Sequence, residues 1–298
     1  MSRARIGIVQ LQMGDDVAAN LDAAEAATLE AVRAGAQVIC LPELFASRYF
    51  CQVEDPGYFA LAEPIPGPTT DRFLPIAEEH DVTLILSLFE ERARGLYHNT
   101  AAVIDGKRGY LGKYRKMHIP DDPRYFEKYY FAPGDLGFKV FDTRYGRLGV
   151  LVCWDQWYPE AARLTAMANA DVLFYPTAIG WHPSERESHG KQQHGAWEVI
   201  QRSHAVANGC FVVAVNRTGY EPDPSAGGAE NEGIRFWGQS FAAGPDGDIL
   251  VKLPQDEPAV RVIEMDFDRI TDQRHGWPFL RDRRIDAYAP LTRRFLDD

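Results

Sequence analysis

The stretch "RLGVLVCWDQWYPE", residues 147–160, carries a smooth apolar run, Leu148 to Val152, that stops on a cysteine. A strand that only fills a core does not need a thiol at its end, whereas a strand that presents a nucleophile does. At Cys153 a side chain would stand at the edge of a sheet. Backbone N–H groups and the dipole of a following helix would there favour an anion. This is the logic of a nucleophile elbow, although the G-x-S-x-G form is absent. Alone, the stretch reads more readily as a buried strand-end thiol, the usual fate of free cysteine. Glu43, just past "VICLP", is either solvated or placed for proton transfer. Lys116 sits in "GKYRKMHIP", and such basic clusters are usually solvated faces.

The elements around these residues read as an alternation of strands and helices. "RIGIVQLQ" (5–12) is a strand, and Asp15-Asp16 caps a helix in which Val17, Leu21, Ala24, Thr28 and Val32 recur at helical spacing until Gly35. "AQVICLPEL" (36–44) is a short buried strand stopped by Pro42. Residues 67–81 become a helix, and 82–91 and 98–105 are strands, with Gly106 at a turn toward Lys116. "RYFEKYYFAPGD" (124–135) reads as an aromatic loop. Paired strands at 137–143 and 147–154 precede a helix at 158–170, with Pro159 in its first turn. A strand at 171–176, a helix at 191–209 ending on Asn208-Gly209, a strand at 210–216, a hairpin within 236–253 and a last strand at 259–266 follow. No repeat or linker interrupts the pattern. It predicts one α/β domain over 1–298, built in layers, with an arm at about 270–298.

Together the motifs outweigh their separate readings. "LPELF" around Glu43, "KYRKMHIP" around Lys116 and "VCWDQWYPEAAR" around Cys153 occur in one order. With "YFEKYYFAPGD", "YPTAIG", "ANGCFVVAVNRTG", "GQSFAAGPDG" and "RHGWPFLRDRR", the chain resembles the nitrilase (carbon–nitrogen hydrolase) superfamily over nearly its whole length. The resemblance implies a four-layer αββα sandwich, two packed sheets with outer helices, that forms a homodimer or a higher homo-oligomer. It implies hydrolysis of a carbon–nitrogen bond without metal or cofactor. In that scheme the Cys153 thiolate attacks a carbonyl carbon and forms a thioester-type intermediate. Glu43 takes and returns the proton and then activates water. Lys116 and the backbone N–H of Trp154 hold the oxyanion, a contribution of about a hundred- to a thousand-fold per donor. Glu127 matches a second glutamate of the superfamily, expected beside Lys116 and at least partly buried.

Within the superfamily the flanks are most similar to the branch that releases putrescine, ammonia and carbon dioxide from N-carbamoylputrescine, in polyamine synthesis from agmatine. One residue departs: His182 stands where relatives carry a glutamate two residues after the "TAIG" glycine. The candidates for reading the substrate's ammonium are therefore Asp121, Glu185, Glu187 and His182. A hydrolase of N-carbamoyl amino acids or β-ureidopropionate would instead need a cationic clamp, and Arg124, Arg186 and Arg202 are available for one. His182, His189 and His194 also raise a metal-binding segment, though their spacing does not match an i, i+4 zinc pair. An inactive binding protein is a further alternative, against which the intact Glu43, Lys116 and Cys153 set argues.

The totals fit. The chain has 298 residues, 45% apolar and 25% charged, and a net charge of −11. That charge disfavours nucleic acid and suits a cationic small molecule. No run is long enough to span a membrane and no leader is recognisable, so a cytoplasmic protein is expected. Of four cysteines, Cys40, Cys51 and Cys210 are expected to be buried free thiols.

Overall fold

The computed structural model describes residues 2–226 and 232–297. The first half of the chain forms β1 (Arg3–Gln10), α1 (Val17–Arg33), β2 (Val38–Cys40), α2 (Pro68–His80), β3 (Thr83–Ala93), β4 (Leu96–Asp105), β5 (Gly109–Arg115) and α3 (Glu127–Tyr130). The second half forms β6 (Lys139–Thr143), β7 (Gly146–Val150), α4 (Pro159–Met167), β8 (Val172–Pro176), β9 (Gly180–Trp181), α5 (Gly190–Asn208), β10 (Phe211–Val215) and β11 (Thr218–Pro222). It ends with β12 (Gly233–Trp237), β13 (Phe241–Ala243), β14 (Ile249–Lys252), β15 (Ala259–Asp266) and α6 (Asp268–Gly276).

The strands make two six-stranded sheets, ordered β15-β1-β2-β3-β4-β5 and β14-β13-β10-β8-β7-β6. Each has a parallel centre, β1-β2-β3 in one and β7-β8-β10 in the other, crossed over by helices. The period of two along a strand assigns the layers. In β1, Ile6 and Ile8 face the other sheet, where they join Val150, Phe174 and Val213. Val9, with Ile39 and Leu84, faces α1 and α2 through Ala24, Ala31 and Phe73. On the other side α4 and α5 pack on β7, β8 and β10. Gly149 allows this close approach: a Cβ there would lie 2.5 Å from Thr165 Cγ2 on α4. The result is the αββα sandwich expected from the sequence.

The helix caps also follow the sequence. Asp16 accepts the N–H groups of Ala18 and Ala19 at 2.8 and 3.2 Å, and Gly35 follows α1 with φ 87°. Two features were not anticipated. A small third sheet, β11-β12-β9, borders the site, and the expected aromatic loop at 124–135 contains the helical turn α3. Beyond α6 the chain runs over the surface, with Trp277, Ile285, Leu291 and Phe295 exposed. Leu164 and Met167 on α4 and Val199 on α5 are exposed too.

Candidate active site

The two sheets bring several carboxyl strand ends to one place, the usual location of ligands in α/β sheets. Glu43 follows β2, Lys116 follows β5, Cys153 follows β7 and Ala178 follows β8. Lys116 Nζ lies 2.8 Å from Glu43 Oε1 and 2.6 Å from Glu127 Oε2, and none of the three side chains is more than 1% exposed. Asn99 Nδ2 donates to Glu43 Oε1 at 2.6 Å, and the Tyr49 hydroxyl donates to Glu127 Oε1 at 2.7 Å. Both Glu127 oxygens are thus engaged. Glu43 Oε2 is buried and has no hydrogen-bond partner among the described residues. A carboxylate oxygen so placed is a proton acceptor waiting for a donor.

The expected strand at 147–154 stops at Val150, so Cys153 stands three residues past its end, and no α-helix begins behind it. The residues Cys153–Trp157 form a 3-10 turn, and α4 starts only at Pro159. The expected helix dipole is therefore replaced by the N–H groups of a tight turn. Cys153 has φ 42°, a left-handed conformation that costs a non-glycine residue about 1–3 kcal/mol and persists only where its surroundings fix it. Asp155 does the fixing. Its Oδ2 accepts from Val152 N at 2.9 Å and from the Tyr114 hydroxyl at 2.7 Å, while Oδ1 accepts from His118 N at 3.0 Å. The turn is thereby pinned to the segment that carries Lys116. Cys153 Sγ rests 4.0 Å from Ala178 O.

Burial pushes the Cys153 thiol well above its ordinary pKa, and the Glu43 carboxylate raises it further against the opposing pull of Lys116. The resting thiol is protonated and needs a base to become a nucleophile. Burial also pushes Glu127 up to about 7, although Lys116 opposes this. For Lys116, burial works against the charge, but Glu127 and Glu43 outweigh it and hold the pKa above the usual lysine value. Removing one partner from such a buried set typically costs about 3–5 kcal/mol, because a charge is left uncompensated.

Cys153 opens into a cavity of about 760 Å³. Trp154, Trp157, Trp237, Tyr125 and Ile179 give it apolar walls, and Asp122, Arg124, His182 and Glu185 supply charge or polarity toward its mouth. The cavity therefore takes in His182 and Glu185 of the sequence candidates. Asp121 and Glu187 are exposed and do not line it. The chain turns between Pro120 and Pro123, so it is Asp122 that faces inward, bridged to Tyr125. Residues 185–189 form a helical turn, in which Glu187 points about 200° away from Glu185.

The arginines considered for a carboxylate clamp are committed elsewhere. Arg124 pairs with Asp223 and, at 2.8 Å, with Glu232. Arg186 lies over the Trp181 ring and Arg202 bonds Gly247 O, both outside the cavity lining. The three histidines separate as well: His182 contacts Ser184, His189 contacts Ser188, and His194 packs among Trp181, Trp197 and Trp237. Among the described residues no group of three or more His, Cys, Asp or Glu is arranged to hold a metal ion. Sequence reasoning missed Tyr49, Asn99, Asp155, Arg217 and Glu221. Only Asp155 and Arg217 carried a signal, as charged residues inside otherwise apolar motifs.

A thiol that needs a base, a free buried carboxylate oxygen and a lysine between two glutamates suit acyl transfer to water at a carbon–nitrogen bond. Similarity agrees. The N-carbamoylputrescine amidase of Solanum lycopersicum is 45% identical over 287 residues, 96% of this chain and 94% of that one. A citrullinase of Francisella tularensis is 36% identical over 296 residues, 99% of this chain and 100% of its own length. A carbon–nitrogen hydrolase crystal structure from Helicobacter pylori G27 superposes with a TM-score of 0.94 at 43% identity, covering 99% of this chain and 100% of that one. The family profile described as carbon-nitrogen hydrolase matches residues 5–275, and the chain belongs to that family as an amidohydrolase.

Proposed function

We propose that the chain hydrolyses N-carbamoylputrescine to putrescine, ammonia and carbon dioxide, with Cys153 as nucleophile and Glu43 as general base. Substrate enters with its carbamoyl group at Cys153 and its aliphatic chain along the tryptophan walls. Glu43 Oε2 takes the thiol proton as sulfur attacks the carbamoyl carbon. Lys116 and the Trp154 N–H stabilise the oxyanion. Collapse expels one nitrogen, which receives the proton from Glu43, and leaves a thiocarbamate on sulfur. Water, deprotonated by Glu43, attacks this carbonyl and frees the thiol. The carbamic acid released decomposes to carbon dioxide and the second amine. Glu127 holds Lys116 in place throughout.

One observation carries the choice of substrate. The cavity's single Lys or Arg among the described residues, Arg124, is already paired with two carboxylates, whereas Asp122 and Glu185 have no cationic partner there. A distal ammonium finds carboxylates; a carboxylate such as citrulline's finds no free cation, and an unpaired charge taken from water is costly. The 45% identity to the tomato enzyme supports the same reading. Ammonia release from N-carbamoylputrescine, citrulline and N-carbamoyl-β-alanine tests it. N-carbamoylputrescine should lead in kcat/KM by roughly tenfold or more, since each 1.4 kcal/mol of discrimination is a factor of ten. Preference for either carboxylated compound would overturn it. The exposed apolar residues of α4, α5 and the chain end support a homo-oligomer built on a dimer, and sedimentation at micromolar concentration should find no monomer.

A further inference from the structure

Two consecutive residues after β10, Asn216 and Arg217, hold two neighbouring segments of the site. Asn216 Oδ1 accepts from Ile179 N and its Nδ2 donates to Ile179 O, both at 3.0 Å. This fixes the segment whose Ala178 carbonyl lies beside Cys153. Arg217 serves the segment that carries Glu43. Its Nε donates to Glu43 O at 3.0 Å, Nη2 to Leu44 O at 2.5 Å and Nη1 to Glu221 Oε1 at 2.8 Å. Glu221 Oε2 in turn accepts from Tyr49 N at 2.6 Å, and the Tyr49 hydroxyl is the donor to Glu127.

The pair is an unusual investment of charge. Arg217 and Glu221 are both fully buried, and such pairs rarely raise stability above that of apolar replacements. Yet each nitrogen that donates here reaches a different group. Leu44 stands at φ 51°, a backbone conformation that a leucine does not hold unaided. Two successive carbonyls, from Glu43 and Leu44, turn toward one cation instead of toward water. The guanidinium lies near the Tyr49 and Phe236 rings, at 5.9 and 5.7 Å from their centroids, which suits a planar arginine better than a lysine.

We infer that Arg217, braced by Glu221, is a positioning residue for the chemistry: it aims the free oxygen of Glu43 through the backbone of Glu43 and Leu44, and sets Glu127 through Tyr49. Neither member of the pair touches substrate. The inference rests on Glu43 as the base that activates Cys153.

Arg217→Lys keeps the charge for Glu221 but cannot reach three directions from one plane. Turnover should be measured per intact site, with sites counted by stoichiometric alkylation of Cys153, the one cysteine lining the cavity. Per-site kcat should fall roughly 10- to 100-fold, the scale of an ångström-sized misplacement, with KM within about threefold. The rate of Cys153 alkylation by iodoacetamide should fall in parallel. Glu221→Gln, which preserves shape and one acceptor, should give a smaller loss of the same kind and serves if Arg217→Lys does not fold. Normal per-site kcat and alkylation rate in the folded variants would mean a purely structural role and would overturn the inference. Glu43→Gln is the control: if it leaves alkylation and turnover intact, the assignment of the base fails instead.

Discussion

The interior of the site and its mouth hold similar numbers of charged groups but treat them oppositely. Inside, Glu43, Lys116 and Glu127 are sealed from water and locked at 2.6–2.8 Å. Outside, Glu185 is exposed, His182 and Arg124 are partly so, and the residues come from loops and short turns. A change inside strands a buried charge, so each member depends on the rest. A change outside is screened by solvent and costs little stability. Under the proposed function, the reaction type is therefore held where substitution is expensive, and substrate choice where it is cheap. The histidine at 182 illustrates the second case: its Nε2 lies 3.9 Å from Glu232, within a pairing scheme that also occupies Arg124.

The sharpest break in this comparison lies in the interior. Cys153→Ala should abolish turnover, by about a thousandfold or more, while leaving the circular dichroism spectrum unchanged. Cys51 provides the contrast. It is buried near the same charges, with its thiol raised by burial and then by Glu127, yet it does not line the cavity. Cys51→Ala should keep kcat within a few-fold and lose only packing stability. Turnover within about tenfold of wild type in Cys153→Ala would remove Cys153 as nucleophile, and loss of turnover in a folded Cys51→Ala would move the chemistry to Cys51.

At the mouth the effect is smaller and should be selective. Asp122→Asn or Glu185→Gln should raise KM for N-carbamoylputrescine about three- to tenfold, a range set by their exposure to solvent, with kcat nearly unchanged. An uncharged N-carbamoyl alkylamine should be affected much less. Equal losses on both compounds would show that neither carboxylate senses the ammonium.

The same division explains what was legible in the sequence. Glu43, Lys116 and Cys153 lie in motifs attached directly to buried strands, so strand ends announced both the residues and their meeting place. The layered fold was legible because Ile6, Ile8, Val38 and Val150 alternate with helix-facing residues. The mouth was not, because one residue's shift in a proline-bounded turn exchanges Asp121 for Asp122. The 3-10 turn after Cys153 was hidden by Pro159, which marks the first turn of a helix but not the gap before it. Arg217 and Glu221 were hidden for another reason: their partners are backbone atoms more than 170 residues away, at Glu43, Leu44 and Tyr49.

A last effect concerns proton linkage in the interior. Burial raises Glu127 from an ordinary value of 4.5 to about 7. A carboxyl whose pKa is higher in the fold than in the unfolded chain favours the fold while it is protonated. That contribution is complete below about pH 4.5 and is lost as pH rises through about 7. Glu127→Gln fixes a neutral side chain of nearly the same shape and removes this titration. Titrations common to both proteins cancel in their difference, including that of Glu90, lowered to about 2 where Arg115 and Lys113 outweigh burial. Urea midpoints should therefore favour wild type least at pH 8, with the difference from Glu127→Gln moving steadily between pH 4.5 and 7 and flat beyond. A difference that stays constant across that window would mean that Glu127 keeps its charge throughout, with Lys116 compensating its burial in full.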